Sequence, residues 1–342
     1  MSDYPTQVAT FECGDIRLKR GITLPGAKIV YKTFGTLSAA RDNVIVYPTS
    51  YGAQHTDIEW MIGPGRALDP TKYFIVIPNM FGNGLSTSPS LAQPPYDKGR
   101  FPRITTHDNV GQQRRLLREV FGVEKVAMVY GWSMGAQQAY HWGALFGADV
   151  ERIVVNCGSA RTAPHNFVFL EGVKATLTAD ANWTGDHFAA KPERGLRAMG
   201  RVYAGWALSQ TFYRERMWQQ LGFASLEDFL VGSWEGNFLR RDGDDLLCQL
   251  WTWQNGDIAE DDRFGGDLAA ALGAIEADTL LMPSATDLYF QTQDNRLELP
   301  HLRRGRLLEI PSMWGHRAGN PRGNPVDTAF IDAAVAELLA RR

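Results

Sequence analysis

Short, uninterrupted apolar runs recur along the chain and predict buried β-strands. They lie at residues 43–48 (NVIVYP), 73–79 (YFIVIPN), 125–131 (KVAMVYG), 152–158 (RIVVNCG), 278–284 (DTLLMPS) and 305–311 (GRLLEIP). None alternates apolar with polar residues, and this lack of alternation is typical of strands covered on both faces of a parallel sheet. Between these runs, residues 109–122 and 327–342 carry apolar side chains at helical spacing. The alternation of strands and helices predicts an α/β fold with a mostly parallel, doubly wound sheet.

Residues 160–265 interrupt this alternation, because strand patterns disappear there and helical patterns dominate. Six of the ten tryptophans fall in the segment: Trp183, Trp206, Trp218, Trp234, Trp251 and Trp253. An aromatic-rich helical insertion before the last two strands predicts a cap, or lid, over the carboxyl edge of the sheet, where open α/β folds bind ligands. The alternative is an ordinary helical subdomain with tryptophans in its own core. We expect a core domain at 1–159 and 266–342, and the cap at 160–265.

Composition excludes several classes of protein. The chain has 342 residues, 44% of them hydrophobic and 21% charged, with a net charge of −3. Without an extended basic tract, nucleic acid is not an expected partner, and without an apolar run of about 18 residues, no membrane span is expected. The first residues, MSDYPTQVATFECGD, lack the pattern of a signal peptide. Cys13, Cys157 and Cys248 are widely spaced, which predicts free buried thiols in a cytoplasmic protein rather than a disulfide framework or a metal site.

One short stretch, VYGWSMGAQQAYHWG, predicts a catalytic serine. In it Ser133 lies between Gly131 and Gly135, after a predicted strand and before a helical pattern that begins near Met134. A G-x-S-x-G motif by itself is weak evidence for a catalytic serine. A strand before the motif and a helix after it, however, form the context that a nucleophile elbow requires. A sharp turn at the serine brings the flanking backbone segments together, so side chains at the two glycine positions would collide. We therefore predict that Ser133 is a nucleophile.

A nucleophilic serine needs a base and an acid that orients the base, and in this fold they follow the serine in the order acid, then histidine. Asp287 comes just after the predicted strand at 278–284, and His316 comes in the loop after the strand at 305–311. These two residues are the predicted acid and base. His301 and Asp294 are interpreted as surface residues, and His141 as a packed or capping residue of the helix after Ser133. His107 and His165 are the other histidines that could border a pocket.

Acyl transfer also needs two backbone N–H donors for the oxyanion. The amide of Met134, directly after the nucleophile, is one predicted donor. The other is expected from residues 49–54 (TSYGAQ), after the first buried strand, with Ser50 and Tyr51 as candidates because Gly52 permits a tight turn there.

With these residues placed, the chain resembles the homoserine O-acetyltransferase family of the α/β-hydrolase superfamily, and especially its esterase-like branch. The segments that carry the resemblance are 60–90 (WMIGPGRALDPTKYFIVIPNMFGNGLSTSPS), 101–109 (FPRITTHDN), GWSMGAQQAYHW around Ser133, TDLYF with Asp287 and WGH with His316. The resemblance implies an α/β-hydrolase fold with Ser133, Asp287 and His316 as catalytic triad. It also implies that no metal and no redox cofactor is bound, and that the protein is a homodimer.

Departures from the family concern the acyl acceptor. Trp132 stands where the transferases carry glycine, Arg317 replaces the aspartate that follows their base histidine, and Ser50-Tyr51 replaces their Leu-Thr. An arginine on the cap holds the acceptor's carboxylate in the transferases, and Arg201 is its candidate counterpart here. Trp132, Arg201, Tyr203 and Arg317 are therefore the candidate substrate-binding residues.

Three functions follow. Because the changed positions concern the acceptor, we favour a carboxylesterase that hydrolyses small, short-chain acyl esters through an acyl-enzyme. The alternative is a homoserine O-acetyltransferase that uses the same triad with acetyl-CoA as co-substrate. A non-catalytic ligand-binding protein of the same fold is a minor alternative, since all three triad candidates are present.

Overall fold

An eight-stranded sheet forms the centre of the computed structural model, which describes residues 4–341. The strands are β1 (Thr6–Arg17), β2 (Thr23–Phe34), β3 (Val44–Val46), β4 (Phe74–Pro78), β5 (Met128–Trp132), β6 (Arg152–Asn156), β7 (Asp278–Met282) and β8 (Gly305–Leu307). Their spatial order is β1-β2-β4-β3-β5-β6-β7-β8. Strands β3 to β8 pair in parallel, whereas β1 with β2 and β2 with β4 are antiparallel. The predicted α/β fold with a mostly parallel sheet is confirmed.

The six predicted strands are all present, each within or next to its apolar run. Every residue of β3 and β4 is buried, as expected for strands with helices on both faces. The buried apolar side chains form two hydrophobic clusters. Both include residues of the segment between β6 and β7, and one of them contains the buried aromatic residues of that segment.

The antiparallel hairpin of β1 and β2 was not among the predicted strands. Each strand is 12 residues long and alternates buried with exposed side chains. A criterion that looks for uninterrupted apolar runs does not detect such strands, because only one face of this edge ribbon contacts the core.

Helices flank the sheet and fill the segment between β6 and β7. They are α1 (His55–Ile58), α2 (Thr106–Phe121), α3 (Met134–Phe146), α4 (Pro164–Thr178), α5 (Glu193–Ala207), α6 (Gln210–Arg214), α7 (Leu226–Phe229), α8 (Gly236–Leu239), α9 (Gly243–Gln254), α10 (Leu268–Gly273), α11 (Thr292–Glu298) and α12 (Pro325–Ala340). Local sequence explains the ends: Thr105 and Asp108 form a capping box before α2, and Gly122 ends that helix with a φ of 61°. The predicted helix at 327–342 corresponds to α12; residue 342 lies outside the described residues.

We call the segment from α4 to α9 (164–254) the cap. It is helical, with a π-helical turn at Leu230–Glu235, and its Trp218, Trp234 and Trp253 are buried. Some cap residues also line the pocket described below. The division into two domains at residues 160 and 265 stays a prediction. Among the helices of residues 4–341, none has the length and apolar character needed to cross a membrane.

Candidate active site

Ser133 stands at a strained turn between β5 and α3. Its φ of 60° and ψ of −129° are unusual for a residue with a side chain, and such strain persists only where the surroundings impose it. Here the Ser133 amide donates to the Asn156 carbonyl oxygen at the end of β6, at 3.0 Å. The serine is buried, with 3% of its surface exposed, and it contributes to the wall of a pocket.

The two glycines around Ser133 are required by close backbone approaches. A Cβ on Gly131 would lie 2.2 Å from the Gly135 carbonyl oxygen, and a Cβ on Gly135 would lie 2.8 Å from the carbonyl oxygen of Pro48. Both distances are shorter than a carbon–oxygen contact allows. The first approach closes the turn, and the second brings the beginning of α3 against the end of the β3 strand segment. The packing that the sequence predicted for this turn is therefore present.

Asp287 and His316 are in direct contact although 29 residues separate them in the chain. His316 Nδ1 lies 2.6 Å from Asp287 Oδ2, and the other carboxylate oxygen, Oδ1, accepts the amides of Tyr289 at 3.1 Å and Phe290 at 3.0 Å. Both side chains are buried. A carboxylate can only accept a hydrogen bond, so Nδ1 carries the imidazole proton and Nε2 is left as the base.

The imidazole of His316 lies among aromatic rings. The ring centroid of Tyr289 is 4.4 Å away, that of Trp132 is 5.3 Å away and that of Phe290 is 5.5 Å away. Within residues 4–341, buried Nε2 has no hydrogen-bond partner, and Ser133 donates no hydrogen bond to it. The two residues line the same pocket. Such bonds are often long in enzymes without substrate and shorten when the substrate binds.

Asn156, which the sequence analysis did not select, connects the serine turn with the segment that carries His316. Its carbonyl oxygen accepts the Ser133 amide at 3.0 Å, and its side-chain amide donates to the Gly319 carbonyl oxygen at 2.8 Å. A Cβ on Gly319 would lie 2.4 Å from the ring of Trp132. These contacts fix the position of the short 3₁₀ helix Gly315–Gly319 relative to the turn.

The predicted oxyanion donors lie beside Ser133. Met134 is the first residue of α3, so its amide has no acceptor in the preceding turn, and Ser50 and Tyr51 line the same pocket. Within the described chain, the amides of Met134, Ser50 and Tyr51 donate to no other residue. The Gly52 amide, by contrast, is used in another bond. The geometry therefore leaves the three predicted amides available.

Cap residues hold the loop that contains Ser50 and Tyr51. The Gly52 amide donates to Gln249 Oε1 at 2.8 Å, and the Gly52 carbonyl oxygen accepts a hydrogen bond from Nε of Arg241. Arg241 also pairs with Asp57, at the start of the helix that follows this loop. Neither Gln249 nor Arg241 was predicted to hold this loop, because their partners are 184 to 197 residues away in the chain.

The pocket has a volume of about 300 Å³ and lies between the sheet's carboxyl edge and the cap. The cap contributes an aromatic wall: the ring of Tyr203 stacks on those of Tyr51 and Trp234, and Phe238 lies 5.3 Å from it. Trp132, at the end of β5, lines the same pocket and its ring stacks against His316. Two of the candidate substrate-binding residues, Trp132 and Tyr203, therefore border this pocket.

Arg201 does not border the pocket, which corrects its selection as a substrate-binding residue. Its guanidinium is held by Glu227 and Glu235 within the cap. With both carboxylates paired to it, this arginine has a structural role on the α5 surface. Arg317, the other candidate arginine, does line the pocket and forms no ion pair with any residue of 4–341.

The other polar candidates lie elsewhere. His141 is buried in α3, where Nδ1 contacts the Gln137 carbonyl oxygen at 2.9 Å and burial lowers the pKa of the imidazole to about 4. His107 pairs with Asp261, and His165 contacts the Leu288 carbonyl oxygen, so neither borders the pocket. His301 is exposed.

The three cysteines are free and buried, as predicted. Cys157 was not selected as a site residue, yet its Sγ, an oxygen of Asp287 and a ring nitrogen of His316 lie within 4.8 Å of one another. Burial raises the pKa of the Cys157 thiol well above its usual value, so the neutral thiol packs beside the pair.

Known proteins match the chain over nearly its full length. A probable esterase of Corynebacterium glutamicum is 36% identical over 311 residues, which cover 90% of this chain and 88% of that protein. An ethyl acetate hydrolase of Pseudomonas veronii is 34% identical over 330 residues, covering 96% and 94% of the two chains. The solved structure of an acetylester hydrolase from Corynebacterium glutamicum superposes with a TM-score of 0.94 at 34% identity, covering 98% of this chain and 96% of that one.

Homoserine O-acetyltransferases and O-succinyltransferases also match, with identities between 26% and 32%. The predicted resemblance to the homoserine O-acetyltransferase family, and to esterases within it, is thereby confirmed. A family model described as the alpha/beta hydrolase fold matches residues 52–318, which include the serine turn and both members of the acid–base pair. The chain belongs to the α/β hydrolase family.

Proposed function

We propose that the protein is a carboxylesterase that hydrolyses small acyl esters, with Ser133, His316 and Asp287 as its catalytic triad. The observation that carries the proposal is the 2.6 Å contact between Asp287 and His316, whose unpartnered Nε2 belongs to the same pocket as Ser133. A serine hydroxyl is a weak nucleophile by itself, and this arrangement supplies the base that activates it.

The first half-reaction forms an acyl-enzyme. His316 Nε2 takes the proton of the Ser133 hydroxyl as Oγ attacks the ester carbonyl carbon, and the carbonyl oxygen becomes negatively charged. We expect the amides of Met134 and of Ser50 or Tyr51 to stabilise that charge. The protonated imidazole, stabilised by Asp287, then gives its proton to the leaving alcohol oxygen as the carbon–oxygen bond breaks.

The second half-reaction uses water in place of the alcohol. His316 removes a proton from a water molecule that attacks the acyl-enzyme carbonyl, and the proton then returns to the Ser133 oxygen as the acid leaves. The same oxyanion donors act in both halves.

The proposed chemistry needs no redox step and no Lewis acid, so we propose that activity is independent of metal ions. Dialysis against EDTA is expected to leave the rate of ester hydrolysis unchanged.

We propose short acyl groups, with acetyl as the reference case. A pocket of about 300 Å³ with an aromatic wall suits a small apolar acyl chain. Two of the matched proteins are named for ethyl acetate and acetyl esters, which supports the same choice.

A homoserine O-acetyltransferase would share the first half-reaction and differ in the acceptor. To separate the two, the protein is incubated with ethyl acetate and with acetyl-CoA, each with and without homoserine. We expect acetate to form from the ester at a rate that homoserine does not change. O-acetylhomoserine as the main product would show that the transferase assignment is correct, and the absence of both products would contradict the enzyme proposal.

We also propose that the protein is a cytoplasmic homodimer. The resemblance to the transferase family supports the dimer, and three free cysteines support a reducing compartment. Light scattering after size exclusion is expected to give twice the mass of the chain, and cell fractionation to place the protein with cytoplasmic markers.

A further inference from the structure

Charges around the pocket are unbalanced in favour of cations. Among residues 4–341, its wall contains Arg240, Arg317 and Arg322 but a single carboxylate, Asp57. That carboxylate is already neutralised, because Arg240 and Arg241 both pair with it. The pocket therefore has two arginines, at 317 and 322, that pair with no carboxylate in the described part of the chain.

Arg317 is the cation next to the reaction centre. It follows His316 directly in the 3₁₀ helix Gly315–Gly319 and is partly buried. The titratable groups that act on its guanidinium are the phenols of Tyr289 and Tyr213 and the Arg322 guanidinium, none of which is an anion at neutral pH. Burial lowers the pKa of Arg317, but a guanidinium stays protonated at neutral pH. Removing a charged group partly from water without a counter-ion costs free energy. This cost indicates that a bound anion neutralises the Arg317 guanidinium.

We propose that Arg317 binds a carboxylate on the alcohol portion of the ester, so that the substrates are O-acylated hydroxy acids. The inference rests on the proposed function and adds the substrate class. His316 protonates the leaving alcohol oxygen, so that oxygen lies beside the imidazole. The Cα atoms of His316 and Arg317 are about 3.8 Å apart, and both residues line the pocket. The Arg317 guanidinium is therefore within reach of a group one or two carbons beyond the alcohol oxygen. The planar fork of an arginine matches a carboxylate.

The rest of the pocket separates hydroxy acids from amino acids. An O-acylated amino acid carries an ammonium group as well as a carboxylate, and the ammonium would need an acidic partner. Asp57, the carboxylate in the pocket wall, is occupied by two arginines. The pocket therefore favours an anionic alcohol portion without a cationic group, whereas the aromatic wall at Tyr203 and Trp234 suits the acyl portion.

The test compares two esters that share the acetyl group and differ in charge: acetoxyacetate and its neutral isostere 2-acetoxyacetamide. The measured quantity is kcat/KM for acetoxyacetate divided by kcat/KM for 2-acetoxyacetamide. When this ratio is compared between variants, the difference in intrinsic reactivity of the two esters cancels. For Arg317→Gln we expect this ratio to fall by about 10- to 100-fold, the range for loss of a hydrogen bond to a charged group. Arg317→Lys keeps the charge but loses the fork, so an intermediate ratio is expected.

Arg303→Gln is the matched control, because Arg303 is exposed before the amino end of β8, at the sheet edge away from the pocket. Its ratio is expected to equal that of the unaltered protein. An unchanged ratio in Arg317→Gln would overturn the inference while ester hydrolysis itself could stand.

A second readout does not depend on turnover. Titration calorimetry measures acetoxyacetate binding to Ser133→Ala protein, with and without the Arg317→Gln substitution. Binding that weakens about tenfold or more on loss of Arg317 supports the inference even if no ester is hydrolysed, in which case the proposed function alone fails. Equal binding by the two proteins overturns the carboxylate site.

Discussion

The two walls of the pocket are built in different ways. On the core side, loops at the carboxyl ends of strands carry groups with fixed partners, such as the Asp287–His316 pair. On the cap side, the rings of Tyr203, Trp234 and Phe238 pack against one another, and Trp234 Nε1 is buried without a partner among the described residues. In the proposed mechanism the core wall performs the bond chemistry, and we expect the cap wall to set the shape of the site. Substitutions on the two walls should therefore affect different kinetic constants.

Ser133→Ala tests the core wall most strongly. Loss of the nucleophile is expected to lower kcat by about 10⁴- to 10⁶-fold, since the acyl-enzyme can no longer form. Ester hydrolysis is the assay, and circular dichroism with thermal melting controls for folding. A folded variant with full activity would show that another residue is the nucleophile.

Asp287→Asn is the next largest expected effect, about 10³- to 10⁴-fold in kcat. Oδ1 accepts two backbone amides, so the new NH₂ group must face His316 Nδ1 and donate to it. The imidazole proton then moves to Nε2, which can no longer act as a base. The pH profile of kcat/KM is the measurement; an unchanged profile and rate would exclude Asp287 as the orienting acid.

Gln249→Leu tests a cap residue that acts on the core wall, because the Gln249 side chain holds the loop that contains Ser50 and Tyr51. Without Oε1, the Gly52 amide loses its acceptor, and the adjacent loop that contains Ser50 and Tyr51 is free to shift. We expect kcat to fall about tenfold with little change in KM. Gln254→Leu, the same substitution at the end of α9 and away from the pocket, is the control. A fall in both variants would indicate a general effect on α9 instead.

Asp245→Asn tests the junction between cap and core through stability rather than activity. Burial raises the pKa of Asp245 from 3.8 to about 7, while its oxygens accept the amide and hydroxyl of Ser90. The unfolded chain ionises this group near its usual pKa and the folded chain does not, so folding stability falls as pH rises from about 4 to 7. Asparagine cannot ionise, and the Ser90 hydroxyl can accept from its amide.

The expected gain in the free energy of unfolding for Asp245→Asn is below about 1 kcal/mol at pH 4 and grows to about 4 kcal/mol at pH 8, several degrees in Tm. Thermal melts from pH 5 to pH 8 are the measurement. The exposed Asp42→Asn variant should follow the unaltered protein at every pH. A gain that did not change with pH would contradict ionisation as the cause.

The central strands and the serine turn could be predicted from the sequence because local patterns determine them. Uninterrupted apolar runs report burial on both faces, and Gly131 reports its close backbone approach to Gly135, four residues further along. The acid and base were found because both follow strands of the same parallel sheet, whose carboxyl ends meet at one edge. The hairpin of β1 and β2 was missed because one of its faces is exposed.

Contacts between distant segments that follow from neither a motif nor the strand order could not be predicted. Arg201 lies in the cap segment where the resemblance predicted a carboxylate-binding arginine. Its guanidinium instead pairs with Glu227 and Glu235, which come close to it only when the cap helices pack together. Gln249 and Asn156 belong to no motif, and their positioning role comes from the backbone groups that they reach across the fold. Sequence patterns thus indicated the candidate acid and base, which the structure brings into contact, better than the residues that hold the surrounding loops.

The hydrogen bonds from Gln249 and Arg241 to Gly52 have a consequence for protein engineering. Exchanging caps among relatives is an obvious route to new ester preferences, since that segment supplies the aromatic surface. A chimera that loses these two anchors would keep a complete triad yet turn over slowly, because its anion-stabilising amides would no longer be held in place. Grafts should therefore retain α9 and the residues just before it from this chain.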